Sequence, residues 1–324
     1  MDHGTALRLD GLRTEFRIGG MWRAAVDGVS LEVRRGETLA LVGESGCGKS
    51  MTALSVMGLA PSVGRVSGHA FVDGIDIVGL PEARMDKLRG ARMAMIFQEP
   101  MTSLNPVMTI GAQVMEALLL HRGLSRAEAA AKALAVLEEV KIPSAARRFH
   151  DYPHQFSGGM RQRVMIAIAL ACEPALLLAD EPTTALDVTI QAQVLGLLAD
   201  LRERHGMAVL FITHNMGVVA QIADRVAVMY AGQIVEQAGV ADIFARPSHP
   251  YTRALFAAIP RMDVDDQELV AIPGRVPGLD AMPAGCRFAP RCPSVREGCE
   301  MPQMLAGVGV GHLARCHVAA LEAG

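Results

Sequence analysis

Short, almost wholly apolar runs recur along this chain, at residues 38–42, 93–97, 175–179 and 209–212, the last three each followed by a polar residue. They are too short for helices and too apolar for a one-sided surface strand, so they predict buried strands of an α/β sheet. In such sheets ligands bind beyond the carboxyl ends of the strands, where this chain places Gly43, Gln98, Asp180 and His214. Residues 6–35 alternate instead, as in Val29-Ser30-Leu31-Glu32-Val33, which predicts an antiparallel side sheet. Residues 71–77 join it as strand, Asp73-Gly74 turn and strand. From 109 to about 141 the chain is rich in Ala and Leu, with Ser125 and Glu128 spaced as a capping box and Pro143 as a stop. Further helices are predicted at 164–172, from 188 to about 205, and at 216–223, and a hairpin around Ala231-Gly232. After 246 the pattern dissolves into proline, glycine and cysteine with one short helix at 251–258. The expected organisation is a domain over 1–245, with a helical subdomain about 100–170, and a C-terminal extension over 246–324.

With 51% hydrophobic residues and a net charge of −3, the chain has the composition of a packed protein rather than a disordered one. Its 34 acidic and 31 basic residues give no excess for nucleic acid, and no nucleic-acid partner is expected. The longest candidate for a membrane span, 164–172, is cut by Glu173-Pro174. Met1-Asp2-His3-Gly4 opens no export signal, which predicts a cytoplasmic location. There the six cysteines would be thiols or metal ligands, and four of them fall after residue 285.

Gly43-Glu44-Ser45-Gly46-Cys47-Gly48-Lys49-Ser50 matches the phosphate-binding pattern G-x-x-x-x-G-K-[ST], between a predicted strand and a helix that begins with Met51. Its glycines let backbone NH groups turn inward, Lys49 reaches terminal phosphates, and Ser50 offers a hydroxyl to Mg2+. Triphosphate hydrolysis also needs a carboxylate for the metal and a base for water, roles that suit Asp180 and Glu181, and γ-phosphate sensors, which suit Gln98 and His214. Phe16 or Trp22 could stack on an adenine, with Phe16 preferred. Ser157-Gly158-Gly159 opens a second helix start suited to an anion.

The order of these pieces, completed by Leu186-Asp187 before a helix, resembles the nucleotide-binding subunit of an ATP-binding cassette (ABC) transporter over roughly 5–245. The resemblance implies a P-loop NTPase fold of the ABC type: mixed core sheet, antiparallel side sheet, helical insert and a small Cys-rich extension. It makes Asp180 the Walker B aspartate, Glu181 the catalytic glutamate, Gln98 the Q-loop residue and a further Mg2+ contact, Asp187 the D-loop aspartate and His214 the switch histidine. Phe156 and Met160 depart from the commonest signature form. In that family two subunits sandwich two ATP molecules, so Ser157, Gly158, Gly159 and Asp187 would serve the partner's nucleotide.

Residues 96–106, Ala185-Leu186-Asp187-Val188-Thr189 and His249-Pro250-Tyr251-Thr252 narrow the resemblance to ATPases of dipeptide and oligopeptide importers, a group that includes nickel importers. The implied partners are a second, different ATPase subunit, two transmembrane permeases and an extracytoplasmic binding protein, with this chain peripheral on the cytoplasmic face of the membrane. A soluble ABC protein acting as an assembly switch is the alternative from another class. Cys286, Cys292, Cys299 and Cys316 can complete one metal centre. Zinc usually uses a closer pair, whereas an iron-sulfur cluster accepts varied spacing. By resemblance to peptide-importer extensions the expected group is [4Fe-4S], with Zn2+ as the alternative.

Overall fold

The computed structural model describes residues 4–98, 103–184, 186–258 and 272–323. Strands run in the order β1 (Thr5–Ile18), β2 (Met21–Arg34), β3 (Thr38–Val42), β4 (Gly64–Val72), β5 (Ile75–Asp76), β6 (Met93–Ile96), β7 (Leu176–Asp180), β8 (Ala208–Thr213), β9 (Arg225–Tyr230), β10 (Gln233–Gly239), β11 (Ala306–Gly309) and β12 (His312–Ala314). Contacts divide the chain into two units. One contains residues up to Leu7, Val33–Glu37 and Phe71–Phe211; the other contains Arg8–Glu32, Thr38–Ala70 and everything from Ile212 on.

In the second unit a mixed sheet runs β11-β12-β10-β9-β3. β3 pairs parallel with β9, and β9, β10, β12 and β11 pair antiparallel in succession. Every residue of β3 is buried, as its unbroken apolar run requires. The predicted hairpin between β9 and β10 turns through Ala231 and Gly232 with φ of 47° and 85°, both left-handed as a two-residue hairpin turn demands. Packed on this sheet are Val42, Val226, Val228, Tyr230, Tyr251 and Phe288. The alternating strands predicted near the N-terminus form β2-β1-β4 beside it in sequence, as a separate sheet.

In the first unit β6 pairs parallel with β7, Met93 opposite Leu176 and Ile96 opposite Ala179. Phe71 and Val72 pair with Asp76 and Ile75 across the predicted Asp73-Gly74 turn. The helical insert is two helices, Ile110–Arg122 and Arg126–Glu139. They part at Gly123, whose φ of 61° ends the first, and Ser125 caps the second through the predicted box with Glu128. Helix Gly158–Leu170 starts six residues earlier than the expected 164. The glycines look like helix breakers by propensity, but Ser157 in extended conformation is an N-cap that starts the helix directly.

The extension holds more regular structure than its sequence predicts. Besides helix Pro250–Ala257 it contributes β11, β12 and helix His317–Ala323. β12 has only three residues and no alternation; its partner β10, far away in sequence, makes it a strand.

Candidate functional site

The loop after β3 lies in the second unit. Gly43 has φ 153°, and a Cβ there would sit 2.2 Å from the Met229 carbonyl oxygen, so no side chain fits. Lys49 is buried, its Nζ donating to the Gly43 and Glu44 carbonyl oxygens at 2.7 and 3.0 Å. The ammonium is thus folded back under the loop. Ser50 and Met51 follow it into helix Lys49–Val56, whose N-cap is Gly48. Ser45 and Gly46 at the tip are exposed. Cys47 is buried, and burial pushes its thiol above the ordinary range, with Lys49 opposing, so it is a neutral packing group there. Of the two aromatic candidates, Phe16 is half-buried against Gly64, while Arg65 lies 4.4 Å over the Trp22 ring.

His214 is exposed directly after β8. Its position is fixed on both sides, since Asn215 N donates to Thr213 Oγ1 at 3.0 Å and the Asn215 side chain caps helix Met216–Ile222. Two contacts on the loop carry no signal in the sequence. Tyr251 Oη accepts the Glu44 NH at 2.8 Å, and Arg291 pairs with the Glu44 carboxylate through both terminal nitrogens, at 2.8 and 3.1 Å.

In the first unit β7 ends at buried Asp180, and Glu181 follows with φ 46°. A non-glycine residue in that region is uncommon and is held there by its surroundings. Gln98 Nε2 donates to Glu181 Oε2 at 3.3 Å and Thr184 Oγ1 donates to the same oxygen at 2.9 Å. Two predicted residues, Gln98 and Glu181, therefore meet, and Thr184 joins them unannounced. Asp187 caps helix Val188–His205, accepting from Ile190 N at 2.9 Å. Ser157 and Gly158 are exposed, and the Ser157 side chain makes no capping hydrogen bond to its own helix.

The four late cysteines line one small cavity of the second unit, together with Phe288 and His317. Backbone crossing brings them there: Cys286 N donates to Cys299 O at 2.8 Å, and a Cβ on Gly285 would lie 2.4 Å from that same oxygen. Cys316 follows β12 directly. Burial raises the thiols of Cys286 and Cys292. Among the described residues, no three His, Cys, Asp or Glu side chains converge closely enough to hold a single metal ion.

The ABC transporter family matches residues 26–184, and the oligopeptide/dipeptide transporter C-terminal region matches residues 235–299. The chain is 49% identical to the oligopeptide transport ATP-binding protein OppD of Salmonella typhimurium, over 96% of this chain and 92% of that one. It is 50% identical to AppD of Bacillus subtilis, an oligopeptide transport ATP-binding protein, over 96% of each. Among solved structures it resembles the ATP-binding cassette MJ0796 in a dimeric post-hydrolysis state bound to ADP and Pi, with TM-score 0.64 and 29% identity over 72% of this chain and 98% of that one. The glycine loop, the strand-end carboxylates and these matches together make the chain a member of the ABC transporter ATP-binding proteins, in the oligopeptide/dipeptide group.

Proposed function

We propose that this chain hydrolyses ATP to energise import of dipeptides or oligopeptides, as the ATPase subunit of an ABC transporter. The observation that carries the reading is the Glu181 corner, where a carboxylate in a constrained backbone conformation is held by Gln98 and Thr184. A carboxylate so oriented polarises a water molecule, whose oxygen bonds to the γ-phosphorus as the bond to the bridging oxygen breaks and ADP leaves. Lys49 and His214 stabilise charge on the γ-phosphate, and Phe16, with Trp22 as the alternative, stacks on the adenine. The Ser50 hydroxyl, the Asp180 carboxylate and the Gln98 amide oxygen are hard oxygen donors that would hold Mg2+, which would neutralise phosphate charge. Exposed Ser157, Gly158 and Asp187, with half-buried Gly159, serve the nucleotide of a second, different ATPase subunit. Two permeases and an extracytoplasmic binding protein complete the assembly, with this chain peripheral on the cytoplasmic face of the membrane. The likeness to named oligopeptide transport proteins across nearly the whole chain supports the cargo class over nickel.

The four-cysteine cavity suits a [4Fe-4S] cluster. What supports this reading is that the four thiols line one cavity, four being the number of thiolates such a cluster takes. The cluster would supply the positive charge that lets buried thiols ionise.

Glu181→Gln tests the ATPase reading: ATP binding persists while hydrolysis, assayed with the partner subunits, falls about 100-fold or more. Normal turnover would remove Glu181 from the role of base. Anaerobic purification tests the cluster, the expected product being brown with absorption near ~400 nm, and a colourless protein with stoichiometric zinc would overturn it. Permeases and binding protein that co-purify from the native membrane identify the cargo class.

A further inference from the structure

The cysteine-bearing segment and the phosphate loop meet through two arginines. Arg287 follows Cys286 and Arg291 precedes Cys292. The Arg291 side chain is 5% exposed, and all three of its guanidinium nitrogens are engaged. Besides the fork on Glu44, its Nε donates to Pro273 O at 2.6 Å and its Nη1 to Tyr230 Oη at 3.3 Å. A guanidinium fixed at every nitrogen presents its fork in one orientation, which a lysine could not do. Tyr251, fully buried beside Phe288, takes the Glu44 NH. Side chain and main chain of the loop's second residue are thus both held from outside the loop.

Arg287 reaches the loop by another route. It donates to Ala231 O and pairs with Asp27. The turn it holds is bonded onward, since Gly232 N donates to Cys47 O at 2.8 Å and Asp27 N donates to Gly232 O at 2.8 Å. The loop is therefore gripped at Glu44 and again at Cys47, and both grips run to residues adjacent to pocket cysteines.

We propose that Arg287 and Arg291 are positioning residues for nucleotide binding, and that the cysteine-bearing segment braces the phosphate loop in its binding form. A glycine-rich loop loses much conformational freedom when it orders around a ligand, and a loop already ordered loses less, which raises affinity. The fork also neutralises Glu44, whose carboxylate would otherwise face an incoming triphosphate as a like charge.

The test is a double-mutant cycle on the full chain, read as the Kd of a fluorescent MgATP analogue and as KM and kcat in the assembled transporter. Arg291→Gln weakens binding and raises KM about tenfold, with kcat at saturating ATP within about twofold of wild type. Adding Glu44→Gln to it causes no further loss, because the two act through one contact. Arg291→Lys falls between wild type and Arg291→Gln. Additive losses in the double variant, or wild-type binding in Arg291→Gln, overturn the proposal. Should Arg291→Gln fail to fold, Tyr251→Phe decides alone: it deletes one oxygen and weakens binding about threefold, and unchanged binding overturns the brace. The cycle reads the brace whatever the thiols hold, so its failure and the failure of the cluster assignment are separate results.

Discussion

The phosphate loop and the Glu181 corner are held in opposite ways. Around the loop, Lys49 is buried and bonded to two carbonyls, Glu44 is tied at its NH and both carboxylate oxygens, and Gly43 leaves no room for a side chain. At the corner, Glu181 is held by two exposed side chains, one of them at 3.3 Å, while its backbone takes a costly conformation. Buried, multiply bonded groups keep their geometry; exposed side-chain bonds over a strained backbone release it readily. On the proposed reading, the geometry for binding is built into the loop, whereas that of the Glu181 corner can be switched.

That contrast breaks most visibly at Lys49. Lys49→Ala is expected to weaken MgATP binding about 100-fold or more, because it removes the loop's positive charge, and to lower the melting temperature as well, because the Gly43 and Glu44 carbonyls lose their buried donor; titration with a fluorescent analogue measures the first. Gly43→Ala comes next, with a stability loss of about 3 kcal/mol from the clash with Met229 O. Urea unfolding reads that loss, and a variant as stable as wild type would show that the loop yields. Thr184→Val sharpens the other side, lowering kcat about three- to tenfold with ATP affinity unchanged, since its hydroxyl touches only Glu181 among the bonds described. The smallest effect serves as a baseline away from both regions. Lys132 donates to Glu173 at 2.6 Å and, as the main cause, holds that carboxyl below its usual range. A depressed carboxyl contributes stability above its unfolded pKa and loses it as pH falls through the folded value. Lys132→Met should therefore cost a few tenths of a kcal/mol near neutrality, the pair being half-exposed, and progressively less as the pH falls below about 4; thermal melts across that range check it.

Much of the fold was legible because chemistry or burial fixed the residues locally. A phosphate cradle must be glycine-rich with Lys49 and Ser50 at its end, and β3, β7 and β8 are buried throughout, so their runs are apolar but for one terminal residue each, Thr38, Asp180 and Thr213. Gln98 and Glu181 were legible as strand-end polar residues, though their meeting depends on β6 lying beside β7. Two things were hidden for one reason, that their cause lies far along the chain. β12 is a strand because β10 accepts it, and Arg291 finds Glu44 across 247 positions. The earlier start of helix Gly158–Leu170 was hidden locally, where glycine propensity argues against what Ser157 capping allows.

The pairing of β10 with β12 also sets an order of events during synthesis. β10 is made early and finds β9 at once through a two-residue turn, but its other side takes hydrogen bonds from residues 313–315. Its Glu236, wholly buried in the finished protein, accepts from the Ser248 and His249 NH groups and meets His312 at 2.7 Å. At ordinary translation rates the edge therefore stands open on the nascent chain for on the order of ten seconds. During that interval it is an open edge strand whose Glu236 has only the Ser248 and His249 NH groups to satisfy it, a template on which another strand could pair until β12 arrives.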